Sequence, residues 1–473
     1  MTTKLKSTLL AGTTAAIALI SSGALAQTDL LVTTTADSGE GSLRAALAAA
    51  SEASDPARIV VLADGTLNID TTLSYDGTAP LTVVGMGQTV KTDANATLFA
   101  VSQGASIAIS DLTFEGPGGY HIQARGDVDG QTAGKGIFVD VRDDQTETVF
   151  ITLTDVTVKG VANHGIHISD CLLADDCGGG QGGAGDGSPA SIHIALTNVE
   201  VNDAGNGRFD ADGFRVDERG AGDIHFTAYG SLFTGVGADG VELDEGQDGS
   251  VIATVVDTAF TNNGGYCDPA LLSGNMPEDD EAEFEDGEAT VADIPGPVTG
   301  SLDDRCFERE VDLYDSGNVE AYEFGIDLDD GIDFDEAGEG NIETVMINSV
   351  ITGNLDEGVD FDEEDNGDII VQFINTDASG NTDDGFKMSE LDAGDVHGRM
   401  VGATAMNNGG KGAVFEEDQD GNLAVTAAYT KTANNDDGDD TGMELLQADD
   451  GTGSVSAVAS KIADGFDLDG VEQ

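Results

Sequence analysis

The stretch Asp330-Gly331-Ile332-Asp333-Phe334-Asp335 returns 27 residues later as Glu357-Gly358-Val359-Asp360-Phe361-Asp362, and again as Asp384-Gly385-Phe386-Lys387-Met388-Ser389. In each copy an acid precedes a glycine, and apolar residues stand one and three places after it. Side chains two apart share one face of an extended strand, whereas a helix needs spacings of three and four. The frame also holds at Gly213, Gly240 and Gly412, with weaker copies at Gly136, Gly165, Gly442 and Gly465. A second glycine follows nine places on, at Gly222, Gly249, Gly340, Gly367, Gly394 and Gly421, and then a second alternating strand such as Ile369/Val371/Phe373. A third short strand ends at Asn263, Asn354, Asn381, Asn408 and Asn435, which share one repeat position.

Strands this short cannot bury a face alone, but stacked coils bury one continuous core. The pattern therefore predicts an all-β solenoid of 27-residue coils with a ladder of asparagine amides at one turn. Two insertions interrupt the coils. One, near 171–189, is glycine-rich; its Gly182-Gly183-Ala184-Gly185-Asp186 only partly matches glycine–aspartate calcium repeats. The other, near 267–322, lies in a 91-residue gap between Gly240 and Gly331, three periods plus ten. Its prolines and acidic run read as an exposed, partly disordered loop.

With these features the chain resembles the secreted right-handed parallel β-helix proteins of the pectate-lyase-like superfamily. The segment from Ala36 to Leu47 is similar to the opening of many such bacterial proteins, where a short amphipathic helix caps the first coil. Residues 42–52 have helix-forming composition with Ser42 as N-cap, which agrees independently. The organisation expected is a signal peptide at 1–26, an N-terminal cap and first coils at 27–116, and β-helix repeats over 117–473.

The chain has 473 residues, with 19 Lys+Arg against 90 Asp+Glu and a net charge of −71. Such a surface repels phosphate backbones, so nucleic-acid binding is excluded, as is the polybasic route to anionic membranes. Lys4 and Lys6, the apolar run Leu9 to Ile20 and Ala24-Leu25-Ala26 read as an export signal cleaved after Ala26. No membrane span is expected after cleavage, and the protein is expected outside the cell, on its surface or in the periplasm. Export permits disulfides. Four cysteines allow three pairings. The local one, Cys171–Cys177 with Cys267–Cys306, closes the shortest loops; without Cys-x-x-Cys, a zinc site is the weaker alternative.

Acids hold register. Asp212, Asp239, Asp330 and Glu357 precede repeat glycines, and Asp217, Asp244, Asp335 and Asp362 stand four places after them. Coils stack about 4.8 Å apart. At that spacing two carboxylates repel by ~1 kcal/mol in water-like dielectric and ~3.5 kcal/mol at an effective value of 20. From Gly331 onward 34 acids face only five basic residues. Ca²⁺, which takes six to eight hard oxygens in irregular geometry, suits such columns. The expected ligands are these eight acids, with following-turn acids such as Glu245 and Glu336 completing the shells. A solvated, salt-adapted surface is the plainer alternative.

His193, His225 and His397 share an outward position in the second strand, too few for a confident metal site. Lyases of the resembled superfamily pair calcium-binding carboxylates with a basic residue that removes a proton. Arg215, whose next coil offers Asp239, Glu242 and Asp244, is the candidate such a resemblance implies. Asn381-Thr382-Asp383-Asp384-Gly385 only approximates the hydrolase motif and reads as a repeat turn. Fold does not fix activity. The reading preferred from sequence is a calcium-binding rod with a structural or surface-interaction role, facing extracellular glycan or cell-surface material. The alternative is a calcium-dependent polysaccharide lyase centred near Arg215.

The last repeat copy, Asp464-Gly465-Phe466-Asp467-Leu468-Asp469, has no capping helix after it. An uncovered coil presents unpaired backbone groups. End-to-end self-association is expected, and sedimentation in calcium should show a mass that rises with concentration; a concentration-independent monomer would refute it.

Overall fold

Alternation after the repeat glycine produces strands such as Ile332–Gly338, Val359–Asp365 and Phe386–Glu390. The second and third segments of a coil form strands such as Asp368–Ile374 and Asp377–Ala378. In this computed structural model, which describes residues 28–126, 134–171, 187–300, 302–435, 441–448 and 451–473, each strand pairs in parallel with its counterpart one coil away. Ile332 lies beside Val359, and Val359 beside Phe386. First strands build a 12-stranded sheet, while second and third strands build a 23-stranded one. The protein is a parallel β-helix, the architecture its periodicity predicts. Residues 1–26 lie outside the described part. No helix among the described residues is long and apolar enough to cross a membrane.

The positions one and three places after the glycine face inward. Phe214, Val216, Val241, Leu243, Phe334, Phe361 and Phe386 are all fully buried in one continuous core. Phe334 and Phe361 stack face to face with ring centroids 4.4 Å apart. At the opposite corner the asparagines form their ladder. Asn263 Nδ2 donates to Asn354 Oδ1 (3.1 Å), Asn354 Nδ2 to Asn381 Oδ1 (3.0 Å), and Asn408 Nδ2 to Asn435 Oδ1 (3.1 Å). Each amide also takes a backbone N–H of the preceding coil, so the polar groups buried there are paired. At the N-terminal end the helix Leu43–Ser51 starts where Ser42 Oγ accepts the Ala45 N–H (3.2 Å). It buries Leu43, Ala46, Leu47 and Ala50 against the first strands.

The gap between Gly240 and Gly331 is a single step of the solenoid. Val241 pairs directly with Ile332, and Asp244 with Asp335. The intervening residues are not the structureless loop expected from their prolines and charge. Strands Glu281–Glu283, Phe307–Leu313 and Val319–Ile326 form a small antiparallel sheet, and Ala289, Ile294, Val319, Tyr322 and Phe324 give it a core of its own. The physical reason is alternation at Tyr322 and Phe324, which are buried on one side of Val319–Ile326, and a register shift in the pairing with Phe307–Leu313 beyond which Val319 joins the same core. Cys267 and Cys306 are disulfide-bonded as expected, with Cα atoms 5.5 Å apart, buried among Ile122, Tyr266 and Leu272. Cys171 is also disulfide-bonded; Cys177, its expected partner, lies outside the described residues, as does most of the 171–189 insertion.

Asp303 ties the second insertion to the solenoid. It accepts from Tyr266 Oη (3.0 Å), Arg125 Nη1 (3.1 Å) and Arg305 Nη2 (2.6 Å). Burial works to raise its pKa, but the bonds from Arg305 and Tyr266 outweigh it and hold the group at about 2. A depressed folded-state pKa means the anchor is fully present above the ordinary carboxylate value and lost as pH falls through about 2. Amide-exchange protection of Val319–Ile326, corrected for intrinsic rate, should therefore fall between about pH 4 and pH 2. Asp303→Asn should lower it already at pH 7; unchanged protection there would remove Asp303 as the anchor.

Candidate functional site

The residues just before the glycine, and those two and four places after it, point outward from the 12-stranded sheet. Successive coils place Phe138, His167, Arg215, Glu242, Asp333, Asp360 and Lys387 side by side in one column. A parallel column runs Asp140, Ser169, Asp217, Asp244, Asp335, Asp362 and Ser389. The face thus changes along the axis from basic, through acidic, to basic again.

At the basic end the chain supplies its own cations. Arg215, 5% exposed, lies among five carboxylates. Its Nε donates to Asp217 Oδ1 (2.7 Å), Nη2 to Asp244 Oδ2 (3.0 Å), and Nη1 reaches Glu242, Asp210 and Asp212, the last two at 3.4 Å. Arg219 holds both oxygens of Asp244. Burial alone would lower the pKa of Arg215; Glu242, Asp217, Asp210 and Asp212 together raise it well above the ordinary guanidinium value. Its guanidinium is thus held as a cation among carboxylates, whereas the lyase alternative asks it to accept a proton. Of the eight expected calcium ligands, Asp212, Asp217 and Asp244 are thus bound to arginines, and Asp212 and Asp217 also to histidines. Asp239 accepts the Asp330 N–H (2.5 Å).

Further along, no arginine or lysine intervenes until Lys387, which binds Asp360 (2.7 Å) and Glu357 (3.3 Å). Two acid sets converge within that interval. Carboxylate oxygens of Asp330, Asp356 and Glu357 all lie within 4.8 Å of one another, as do those of Glu242, Asp333 and Asp335. Of the expected ligands, Asp330 and Glu357 thus meet, with Asp356 as an unforeseen third. Asp335 meets Glu242 and Asp333, and Asp362 joins neither set. Asp330 Oδ1, Asp360 Oδ1 and Asp362 Oδ1 are buried without a hydrogen-bond partner. Burial, then repulsion by neighbouring acids, raises these groups: Asp330 and Asp333 go well above the carboxylate range, Asp335 to about 8 and Asp356 to about 9. A donor set made only of hard oxygens, one of whose members, Asp330, carries an orphaned buried oxygen, fits Ca²⁺. Glu245 and Glu336 do not complete these shells, contrary to expectation. Both curl inward beneath Gly249 and Gly340, and both are buried.

Sequence reasoning missed a cluster beside Arg215. Lys135 and His164 occupy, in the weak copies at Gly136 and Gly165, the place that Asp212 and Asp239 hold elsewhere, and His167 is the counterpart of Arg215. Extending the columns into those weak copies would have found all three. Lys135 Nζ hydrogen-bonds His167 Nδ1, and His167 Nε2 lies 2.6 Å from Asp217 Oδ2. Burial lowers Lys135 to about 7, and burial with the Lys135 charge lowers His167 to about 4. A neutral imidazole thus donates to Asp217 and accepts from Lys135. His193 and His225 stack on the other sheet with centroids 4.0 Å apart, while His397 lies beside Ile370 and Ala424, apart from both.

No protein-family model and no curated protein matches the chain. Among solved structures it is similar to the A-module of mannuronan C-5 epimerase AlgE6 from Azotobacter vinelandii, at 11% identity and TM-score 0.42, covering 94% of this chain and 98% of that one. It is similar also to ORF18 of Geobacillus virus E2, at 10% identity and TM-score 0.40, covering 91% of this chain and spanning 61% of that one. The Dettilon tailspike protein gp208 follows at 9% identity and TM-score 0.29, covering 89% and 62%. These likenesses concern fold alone; the β-helix assignment rests on the strand pairing.

Deleting one partner of a buried ion network leaves the others uncompensated, at a cost of ~3–5 kcal/mol. Arg215→Ala should lose about that much in urea unfolding, whereas Arg58→Ala, which breaks an exposed pair with Asp29, should lose under ~1 kcal/mol. Equal small losses would mean that Arg215 does not hold the network.

Proposed function

We propose that this protein is an exported, calcium-stabilised β-helix rod with a structural or surface-interaction role toward extracellular glycan or cell-surface material. The observation that carries the reading is the Asp330–Asp356–Glu357 set, in which Asp330 Oδ1 is buried and has no hydrogen-bond partner. Lys387 reaches this set only at Glu357, and Arg215 the neighbouring set only at Glu242; among the described residues no lysine or arginine pairs with Asp330, Asp356, Asp333 or Asp335. Asp330, Asp356 and Glu357 would hold one ion, and Glu242, Asp333 and Asp335 another. Bound calcium would offset repulsion along the columns and rigidify the face presented to a partner.

A second reading, an acidic-glycan lyase, is favoured by Lys135. A lysine whose pKa is lowered to about 7, hydrogen-bonded to a neutral histidine, is suited to proton transfer. In a β-elimination the proton on the carbon beside a uronate carboxylate would pass to Lys135 Nζ. Its electron pair would form the double bond, the glycosidic C–O bond would break, and water would protonate the leaving oxygen. Lys135 is 8% exposed, which leaves this reading second.

Ligand binding to the folded state alone adds ~2.7 kcal/mol when free ligand is about a hundred times Kd. Millimolar calcium should raise Tm more than sodium chloride of equal ionic strength, and more than magnesium, which demands tighter octahedral geometry. Asp330→Asn with Glu357→Gln should remove most of that increment. A Tm rise no larger than that from matched sodium chloride would leave the columns a solvated acidic surface. For the second reading, polygalacturonate or alginate should yield ultraviolet-absorbing unsaturated products. Lys135→Ala should abolish them without changing the calcium increment; no products from either glycan would discard the lyase.

A further inference from the structure

The fifth place after the repeat glycine continues the inward series of apolar positions one and three, yet it is occupied by Glu218, Glu245, Glu336, Glu363, Glu390 and Glu417. Register places each directly beside the next. All six are at most 1% exposed. The outward columns mix Asp, Glu, Ser, Lys and Arg; this one repeats a single residue, so side-chain length matters here as well as charge. Each side chain folds back beneath the glycine four places on. A Cβ at Gly340, Gly367 or Gly421 would strike first the carbonyl oxygen of the preceding coil's glycine, at 1.5, 1.8 and 1.6 Å, and then the carboxyl of Glu336, Glu363 or Glu417, so backbone stacking requires the second glycine of the repeat and the glutamate fills the space beside it.

These carboxyls are satisfied only in part. Glu390 Oε1 accepts the Asp392 N–H and Glu417 Oε1 the Gln419 N–H, both at 3.2 Å. Both oxygens of Glu336 and Glu363, and Oε2 of Glu390, have no donor. Among the described residues no lysine or arginine forms an ion pair with Glu336, Glu363, Glu390 or Glu417. Neighbouring groups instead meet carboxyl to carboxyl, Glu336 with Glu363 and Glu363 with Glu390. At the next rung the residue changes to Gln447, whose Nε2 donates to Glu417 Oε2. An amide thus supplies in the last gap the hydrogen that the earlier gaps lack.

We infer that this inward column, from Glu363 through Glu390 to Glu417, is a proton-bridged carboxyl ladder, in which glutamate acts as an uncharged donor and acceptor between coils, as asparagine does at the opposite corner. A divalent cation does not fit the same gaps. It needs six or more oxygens, whereas each gap offers the oxygens of two side chains. The rung carbonyls of Glu363 and Glu390 are already taken by the N–H groups of Leu391 and Asp418, each at 3.0 Å. A proton between two oxygens needs no further ligand. Unbridged, buried carboxylates stacked at coil spacing would repel strongly in a medium of low polarity.

Glu390 and Glu417 provide the test, being flanked by none of the residues assigned to calcium. Glutamine keeps the shape and supplies the hydrogen. Glu390→Gln should therefore leave Tm unchanged or raise it, and Glu390→Ala, which leaves the orphaned groups and a cavity, should lower it by several degrees. Infrared spectra of the parent at neutral pH should contain the carbonyl band of protonated carboxyl groups, diminished in Glu390→Gln and unchanged by calcium chelation. Glu417→Gln is expected to cost stability, because that rung already accepts from Gln447 and Gln419. If Glu390→Gln destabilises as much as Glu390→Ala, or if it lowers the bound metal measured by elemental analysis, the column holds charges or cations and the ladder is refuted. Absence of the protonated-carboxyl band would refute it equally.

Discussion

Everything in this molecule follows from coils stacking in register about 4.8 Å apart. That spacing turns each repeat position into a column of near-identical groups, so any interaction chosen for one coil is repeated along the axis. Apolar columns add up to a core. Amide columns chain their donors and acceptors without remainder. Columns of like charge accumulate repulsion unless something lies between the rungs, and the protein meets that constraint differently in each place. Arg215 and Arg219 serve at the basic end and Lys387 further along, and the converging acids between them meet those cations only at their edges, at Glu242 and Glu357.

The two acidic systems contrast because of where they sit. On the outward face Asp, Glu and Ser alternate, side-chain reach varies, and oxygens converge in threes, as a multidentate ion requires. On the inward corner one residue type recurs, reach is fixed, and oxygens meet in pairs. Identical functional groups are thus proposed to take different counterions, a metal for the first and hydrogen for the second.

The periodicity was enough to read the solenoid, the asparagine ladder, the Ser42 cap and the Cys267–Cys306 bridge, because each depends on local spacing that sequence displays directly. Three features were less legible. Glu245 and Glu336 looked like outward ligands because acids are usually exposed, although the period-two series had already placed them inward; the general rule about charge overrode the particular count. Lys135, His164 and His167 sit in degenerate copies of the repeat, where the glycine survives but the acid does not, so a search for acids passes over them. The folded second insertion was hidden by its prolines and charge, which mark loops in general but say nothing of the buried Val319, Tyr322 and Phe324, whose spacing is broken by a register shift.

The continuity of pairing across that insertion has a consequence for how such chains change over time. Val241 meets Ile332 as closely as Ile332 meets Val359, although 91 residues separate the first pair and 27 the second. Loop closure grows only logarithmically with length, at about 0.6 kcal/mol per doubling, so the corner after Asn263 is a place where sequence can be gained or exchanged with little penalty to the rod. The disulfide and separate small core make the present occupant a cassette. A different folded unit with closely spaced ends could be grafted there, changing what the protein displays while leaving what holds it together untouched.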